Sequence, residues 1–291
     1  MIYKIIKKIK QYSTLVMFEH TIFSLSFGIV AMLIAISEGY TIDVWTISLI
    51  LVALISARTG ANAINRVIDA EIDAANPRTS TRQLPQRILD KKQVVIFTAV
   101  CFIIMIIAAF LISPLTGFLS PVALFMMITY SYTKRFTWAC HLYLGATCAI
   151  APMGAWLAIT GQFHIIPFLL SAINMFWVAG FDIIYGSQDY HFDSTNNIFS
   201  IPRRFGVKNG LLISAFFHIL AVMMMVLVGV VSSTLSNVYF IGVGIIAILL
   251  FYEHKIVSPD NLSQVKIAAY SINQLVSIVF MGFATAGVLL N

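Results

Sequence analysis

Residues 44–78 read VWTISLILVALISARTGANAINRVIDAEIDAANPR: an apolar run ending in Asn65-x3-Asp69-x3-Asp73, then Asn76-Pro77-Arg78. The apolar part is long enough to cross roughly 30 Å of hydrocarbon as a helix. A carboxylate at membrane depth costs about 3 kcal/mol or more, so acidic residues closing such a run point to a site. A second run, 165–189, ends the same way, in Asp182-x6-Asp189-x3-Asp193 with Tyr185 and Gln188 inside it.

Outward from these two stretches the chain is apolar almost throughout. Of its 291 residues 59% are hydrophobic and 10% charged, against roughly 25% charged in soluble domains. Nine apolar runs are read as spans: 15–37, 44–68, 93–113, 115–132, 138–160, 165–189, 209–232, 236–252 and 267–290. The fold class predicted is an all-α, multi-pass transmembrane bundle of about nine helices. Near Pro114 a long hairpin competes with two separate spans.

The basic residues orient the chain. Lys4, Lys7, Lys8 and Lys10 precede the first span. Arg66, Arg78, Arg82, Arg87, Lys91 and Lys92 cluster at the end of the second and in the loop after it, Lys134 and Arg135 follow the fourth, and Arg203, Arg204 and Lys208 the sixth. The loops Ser37–Asp43, Thr160–His164 and Ser232–Ser236 hold no Lys or Arg. The positive-inside rule then puts the N-terminus and both acidic clusters in the cytoplasm. The net charge of +6 is this topology signal, not a nucleic-acid surface. The N-terminal stretch lacks a small-residue cleavage site, so it is read as a retained span, not a signal peptide. Cys101, Cys140 and Cys148 lack metal-ligand spacing and read as ordinary buried thiols.

No linker or soluble domain is visible, and 1–291 is read as a single integral-membrane domain. Asp69 and Asp189 are 120 positions apart, as are Asp73 and Asp193. This weak repeat of motif placement suggests two helical halves serving one site, as in membrane folds built from repeats.

At 3.6 residues per turn, Asn65, Asp69 and Asp73 fall on one helix stripe, which Arg58 joins seven residues earlier. Asp182, Asp189 and Asp193 share a second stripe if the helix continues. Carboxylate pairs suit Mg²⁺, which takes oxygen ligands and bridges to substrate phosphates. Clusters at the membrane boundary therefore fit chemistry on a phosphorylated lipid. A solvated helix end without ligand is the bland alternative, and a cation-coupled membrane transporter is the rival of another class.

The segment from Asn65 through Asp69 and Asp73 to Asn76-Pro77-Arg78-Thr79, continuing to Arg82 and Leu84-Pro85, resembles the first signature of the UbiA superfamily of intramembrane prenyltransferases. The run Asp182, Tyr185, Gln188, Asp189, Asp193 is similar to the second, and Tyr132-Thr133-Lys134-Arg135 to the family's basic loop. The resemblance implies an Mg²⁺-dependent enzyme in which Asn65, Asp69, Asp73, Asp189 and Asp193 hold metal and pyrophosphate. It places Asp182 and Tyr185 toward the reacting carbon and the acceptor. Arg58, Lys134 and Arg135 become pyrophosphate contacts, with Arg78 and Arg82 as weaker ones.

The substrates so implied are a polyprenyl diphosphate and an aromatic acid. 4-Hydroxybenzoate is the nearest acceptor, as in ubiquinone synthesis. A 1,4-dihydroxy-6-naphthoate-type acceptor of a menaquinone route is the alternative. The 22 Phe, 11 Tyr and 4 Trp could line a dry pocket for an allylic cation, although most are expected to pack helices or meet lipid. The implied location is a bacterial inner membrane, with the site facing the cytoplasm. One departure stands out. Where relatives carry an Arg and a Lys-Pro pair in the first span, this chain has Met17-Phe18-Glu19-His20-Thr21. His20 is therefore a candidate acceptor contact, against the alternative of a packed Glu19–His20 pair. His141 reads as interfacial, and His164, His191, His218 and His254 show no pattern.

Overall fold

The computed structural model describes residues 2–17 and 22–291, with side chains from 6 to 17 and 25 to 291. In chain order the helices are α1 (Ile2–Leu15), α2 (Ile22–Ser37), α3 (Val44–Ile68), α4 (Ala70–Ala75), α5 (Lys91–Ile112), α6 (Pro114–Thr133) and α7 (Cys140–Cys148). They continue as α8 (Ile150–Thr160), α9 (Ile165–Gly186), α10 (Tyr190–Thr195), α11 (Ile201–Val231), α12 (Val238–Ile256) and α13 (Asn273–Leu289). No strand occurs among the described residues; a lone bridge joins Ser258 and Asn261. The all-α membrane fold is what the long apolar runs implied. Among the described residues eight segments are long and apolar enough to cross a membrane, and Leu25–Ser37 is a shorter apolar helix.

The chain packs as two units, Met1–Thr21 with Ser48–Tyr132 and Ile22–Ile47 with Thr133–Asn291. In the first unit, the expected span 15–37 begins too early. Leu15 closes α1, whose apolar side buries Leu15 and Val16 against Ala63, Val67, Leu89 and Val94. Helix α3 receives the end of α1 with polar side chains. Asn62 Nδ2 donates to the Val16 carbonyl at 2.6 Å and Arg66 Nε to the Leu15 carbonyl at 3.2 Å. These satisfy carbonyls that a helix C-terminus leaves without internal partners, and a guanidinium there also suits the helix dipole.

Helices α5 and α6 are separate, which decides between the two readings at Pro114. Ser113 is extended (φ −163°, ψ 156°) and Pro114 opens α6. A residue before proline is driven out of helical geometry, while proline itself fits the first helical position. At the other end of α5, the Asp90 side chain accepts from Lys92 and Gln93 amides at 2.9 and 3.1 Å, an N-cap.

In the second unit, α9 is the most deeply packed helix. Trp177, Ile173, Leu170 and Ile183 on it are fully buried, and Phe27 stacks on Phe280 at 4.5 Å and lies 5.5 Å from Trp177. The span expected at 138–160 is found as one membrane-length segment, Cys140–Thr160, interrupted at Ala149 between α7 and α8. Pro152 removes the donor that the Cys148 carbonyl would use. Asn174 Nδ2 of α9 supplies it instead at 2.9 Å, and Ser171 Oγ donates to the Ala149 carbonyl at 2.8 Å. Freed backbone groups inside a membrane fold must find such partners.

The seventh expected span, 209–232, is the later part of a longer helix. α11 starts at Ile201 and bends at Gly206, whose φ of 80° and ψ of 157° are non-helical. Before α13, residues Ile267–Ile272 form a π-helical turn. Asn273 closes it, its Nδ2 donating to the Ala268 carbonyl at 3.0 Å and to Glu253 Oε1 at 3.0 Å. Its Oδ1 accepts from Trp177 Nε1 at 2.5 Å. His218, which the sequence left without a pattern, meets His254 at 3.0 Å and the Trp177 carbonyl at 3.3 Å.

Candidate active site

The first acidic cluster is built on a break in the helix. Asp69, between α3 and α4, has φ −91° and ψ 3°, in the sparsely populated bridge region where many active-site residues sit. The backbone ladder still runs through it, since the Asp69 amide donates to Asn65 at 2.9 Å and the Asp73 amide to Asp69 at 2.8 Å. The expected stripe therefore survives the break. Asn65 Nδ2 donates to Asp69 Oδ2 at 2.7 Å and reaches Ser131 Oγ of α6 at 3.2 Å. Asp69 and Asp73 are both buried.

The loop after α4 folds back over the cluster. The Asn76 Oδ1 accepts from the Arg78 amide at 2.9 Å, an Asx turn. Thr79 Oγ1 then donates to the Asp73 carbonyl at 3.0 Å, and Arg82 Nη1 to Asp73 Oδ1 at 2.7 Å. Arg82, expected as a weaker contact, is thus an ion-pair partner of the cluster, brought there by the turn and not by helical spacing. Arg58 is half-buried on α3 and lies, with Asp69 and Arg66, within electrostatic reach of the Tyr130 hydroxyl. Arg78 is half-buried in the turn itself.

The second cluster repeats this local design. α9 stops at Gly186, a 3-10 turn covers Ser187–Asp189, and α10 runs Tyr190–Thr195. Asp189 has φ −93° and ψ 5°, the conformation of Asp69. Asn196 follows α10 as Asn76 follows α4. The single continuous helix assumed for Asp182, Asp189 and Asp193 is accordingly corrected: α9 gives way at Ser187–Asp189 to a 3-10 turn, where Ser187 Oγ donates to the Ile183 carbonyl at 2.9 Å.

Asp193 is buried and accepts from Ser200 Oγ at 2.8 Å. Ser200 is also the N-cap of α11, its Oγ accepting from the Arg203 amide at 3.3 Å. Lys134 joins this end of the unit. Its carbonyl accepts from the Phe199 amide at 2.7 Å, and its ammonium and Asp189 both act electrostatically on Asp193. Arg135 beside it is half-buried.

Asp182 has a partner that the sequence did not reveal. His141 of α7 is buried, and its Nδ1 lies 2.7 Å from Asp182 Oδ2. A carboxylate only accepts, so Nδ1–H is the donor. The interfacial reading of His141 is therefore corrected: Thr137 to Ala139 turn the chain so that α7 packs on α9 with His141 facing it. One further residue unflagged in the sequence, Ser131, directly precedes the Tyr132-Thr133-Lys134-Arg135 motif, a position that could have signalled it. Tyr185 packs its ring on Tyr270 at 4.9 Å. Glu19 and His20 lie outside the described residues.

All the expected ligands (Asn65, Asp69, Asp73, Asp189 and Asp193) offer hard oxygen donors, the set Mg²⁺ prefers. Among the described residues no three His, Cys, Asp or Glu side chains group closely enough to hold an ion by themselves.

The model of the UbiA prenyltransferase family matches residues 24–282. A 4-hydroxybenzoate octaprenyltransferase of Xanthomonas oryzae pv. oryzae is 26% identical over 247 residues, 84% of this chain and 81% of the relative. One of Marinobacter nauticus is 28% identical over 228 residues, 78% of this chain and 77% of the relative. The apo structure of a UbiA homolog from Aeropyrum pernix K1 is similar with a TM-score of 0.82 and 28% identity, covering 94% of this chain and 98% of that one. A UbiA homolog from Archaeoglobus fulgidus bound to GPP and Mg²⁺ shares the fold with a TM-score of 0.66 and 17% identity, covering 96% of this chain and 99% of that one. The chain belongs to the UbiA prenyltransferase family.

Proposed function

We propose that this prenyltransferase moves a polyprenyl group from its diphosphate to an aromatic acid in quinone biosynthesis and releases pyrophosphate. 4-Hydroxybenzoate is the acceptor named for the relatives at 26–28% identity, and a 1,4-dihydroxy-6-naphthoate-type acid is the alternative. The observation that carries this reading is the pair of matching acidic turns, Asp69–Asp73 and Asp189–Asp193. Each sets one aspartate in the bridge region and a second on the short helix that follows it.

Asn65, Asp69, Asp73, Asp189 and Asp193 hold the diphosphate through Mg²⁺. The metal, when bound, neutralises the charge that builds on the departing pyrophosphate. Arg58, Arg82, Lys134 and Arg135 add fixed cations for the same charge, with Arg78 at the rim. Asn65 holds Asp69 in place, and Thr79 with Arg82 does so for Asp73. Asp182 and Tyr185 face the acceptor, in aromatic surroundings that exclude water, and His20 remains a candidate acceptor contact. Residues 1–291 act as one domain in the bacterial cytoplasmic membrane, with both acidic turns on the cytoplasmic side and the polyprenyl tail in lipid.

The test is turnover at limiting Mg²⁺ with geranyl diphosphate and each acid. Asp69→Ala and Asp189→Ala should each lower product formation at least a hundredfold while remaining membrane-inserted. Near-wild-type activity of either variant would remove its turn from the site.

A further inference from the structure

Asp182 is not alone in the acceptor half of the site. His141 sits behind it at 2.7 Å, with a side chain only 6% exposed against 26% for Asp182. The carboxylate is the group that substrate can reach; the imidazole is the group that substrate cannot. His141 Nε2, the nitrogen turned away from Asp182, is buried and has no hydrogen-bond partner. A carboxylate only accepts, so Nδ1 carries a proton and donates it to Asp182. That bond commits one carboxylate oxygen, Oδ2, and leaves Oδ1 for another group.

The surroundings suit an aromatic ring. Phe181 precedes Asp182 on α9 and meets Trp177 edge-on at 5.3 Å, and Tyr185 follows three residues later against Tyr270. Asp182 lies on the body of α9, whereas Asp189 closes the 3-10 turn that follows it.

We infer that His141 is the positioning residue of the acceptor site: it aims Asp182 at the acceptor and holds it ready to take the ring proton. The inference rests on the proposed aromatic-acid reading. In the step, a ring carbon bonds to prenyl C1 as the C1–O bond breaks and its electron pair leaves with pyrophosphate. The C–H bond of the attacked ring carbon then breaks, its proton passing to Asp182 Oδ1 and its electron pair restoring the aromatic ring. His141 stays bonded to Oδ2 throughout, which fixes the carboxylate against rotation.

His141→Phe and His141→Gln, in the full-length protein, would be assayed with geranyl diphosphate against 4-hydroxybenzoate and 1,4-dihydroxy-6-naphthoate. The expected result for His141→Phe is an acceptor kcat/KM at least tenfold lower, with the KM for geranyl diphosphate within twofold of wild type. His141→Gln, which retains an N–H donor, should recover at least a third of the lost activity. If acceptor kcat/KM is unchanged in both variants, or if diphosphate KM rises as much as acceptor kcat/KM falls, the positioning role is overturned. Should His141→Phe fail to fold, a folded His141→Gln with kinetics worse than tenfold below wild type overturns it equally. Wild-type protein that prenylates neither acid would instead overturn the aromatic-acid reading, and this role with it.

Discussion

Asp69 and Asp189 share one backbone conformation, φ −91° and ψ 3° against φ −93° and ψ 5°, although 120 residues separate them. Each is followed by a six-residue helix and an asparagine. The repeat seen as motif spacing is thus a repeat of local structure. It persists while the surrounding residues differ: Arg82 and Thr79 hold Asp73, whereas Ser200 holds Asp193. Conformations in this sparse region persist where neighbours hold them and concentrate at active sites, which is how the two aspartates are used in the proposed reaction.

Arg82 serves both Asp73 and, in the proposed reaction, the diphosphate. Arg82→Ala should raise the KM for prenyl diphosphate about tenfold and leave the acceptor KM unchanged, equivalent to about 1.4 kcal/mol of binding. Its side chain is 23% exposed, so solvent screens the pair and the loss of folding stability should stay near about 1 kcal/mol. Steady-state kinetics alongside thermal unfolding in detergent would check both numbers; equal loss of the two KM values would count against the assignment.

Asn273 makes a different kind of contribution. It satisfies Trp177, Glu253 and the π-turn carbonyls together, and all three side chains are buried. Asn273→Ala leaves at least two buried polar groups unpaired, at about 1–3 kcal/mol each. Unfolding in detergent should show a loss of about 3 kcal/mol, while exposed Asn209→Ala should change stability by less than about 0.5 kcal/mol.

Gly145 allows α7 to lie against α9. A Cβ at this position would run into the Met175 carbonyl, and backbone cannot move aside as a flexible side-chain tip can. Gly145→Ala should cost about 2 kcal/mol and, by shifting α7, lengthen the His141–Asp182 contact and lower acceptor turnover. Gly154→Ala on α8 meets nothing within 4 Å and should leave both properties unchanged. Thermal unfolding and product formation on the two variants provide the comparison.

Cysteines introduced at Arg78, Arg203, Gly39 and Asn291 should divide by side. Arg78 and Arg203 should label only from the cytoplasm, and Gly39 and Asn291 only from outside, because Lys and Arg accumulate in the loops of the first pair. Impermeant maleimide on intact cells and on inverted vesicles reads this directly. Labelling of Arg78 and Arg203 from opposite sides would rule out a common diphosphate.

The membrane fold was legible because apolar runs near 20 residues have almost no other use, and basic loops alternate with neutral ones. The acidic residues were legible because carboxylates closing such runs are rare. What could not be read was where helices stop. The first expected span began at Leu15, yet the apolar side of α1 claims Leu15 and Val16 for packing against α3 and α5. Likewise hydropathy does not register a break at Ala149, because Asn174 and Ser171 on another helix satisfy the carbonyls it frees.

By itself, then, the sequence determined the all-α membrane class, the two acidic clusters and their spacing, since these follow from residue type and chain distance alone. Tertiary structure decided which partners those clusters have. Arg82 reaches Asp73 through a turn of the loop, and His141 reaches Asp182 from 41 residues away on another helix. Neither pairing follows a helical period. Each exists because a buried carboxylate needs a donor, and only the packed chain determines which donor is near enough to serve.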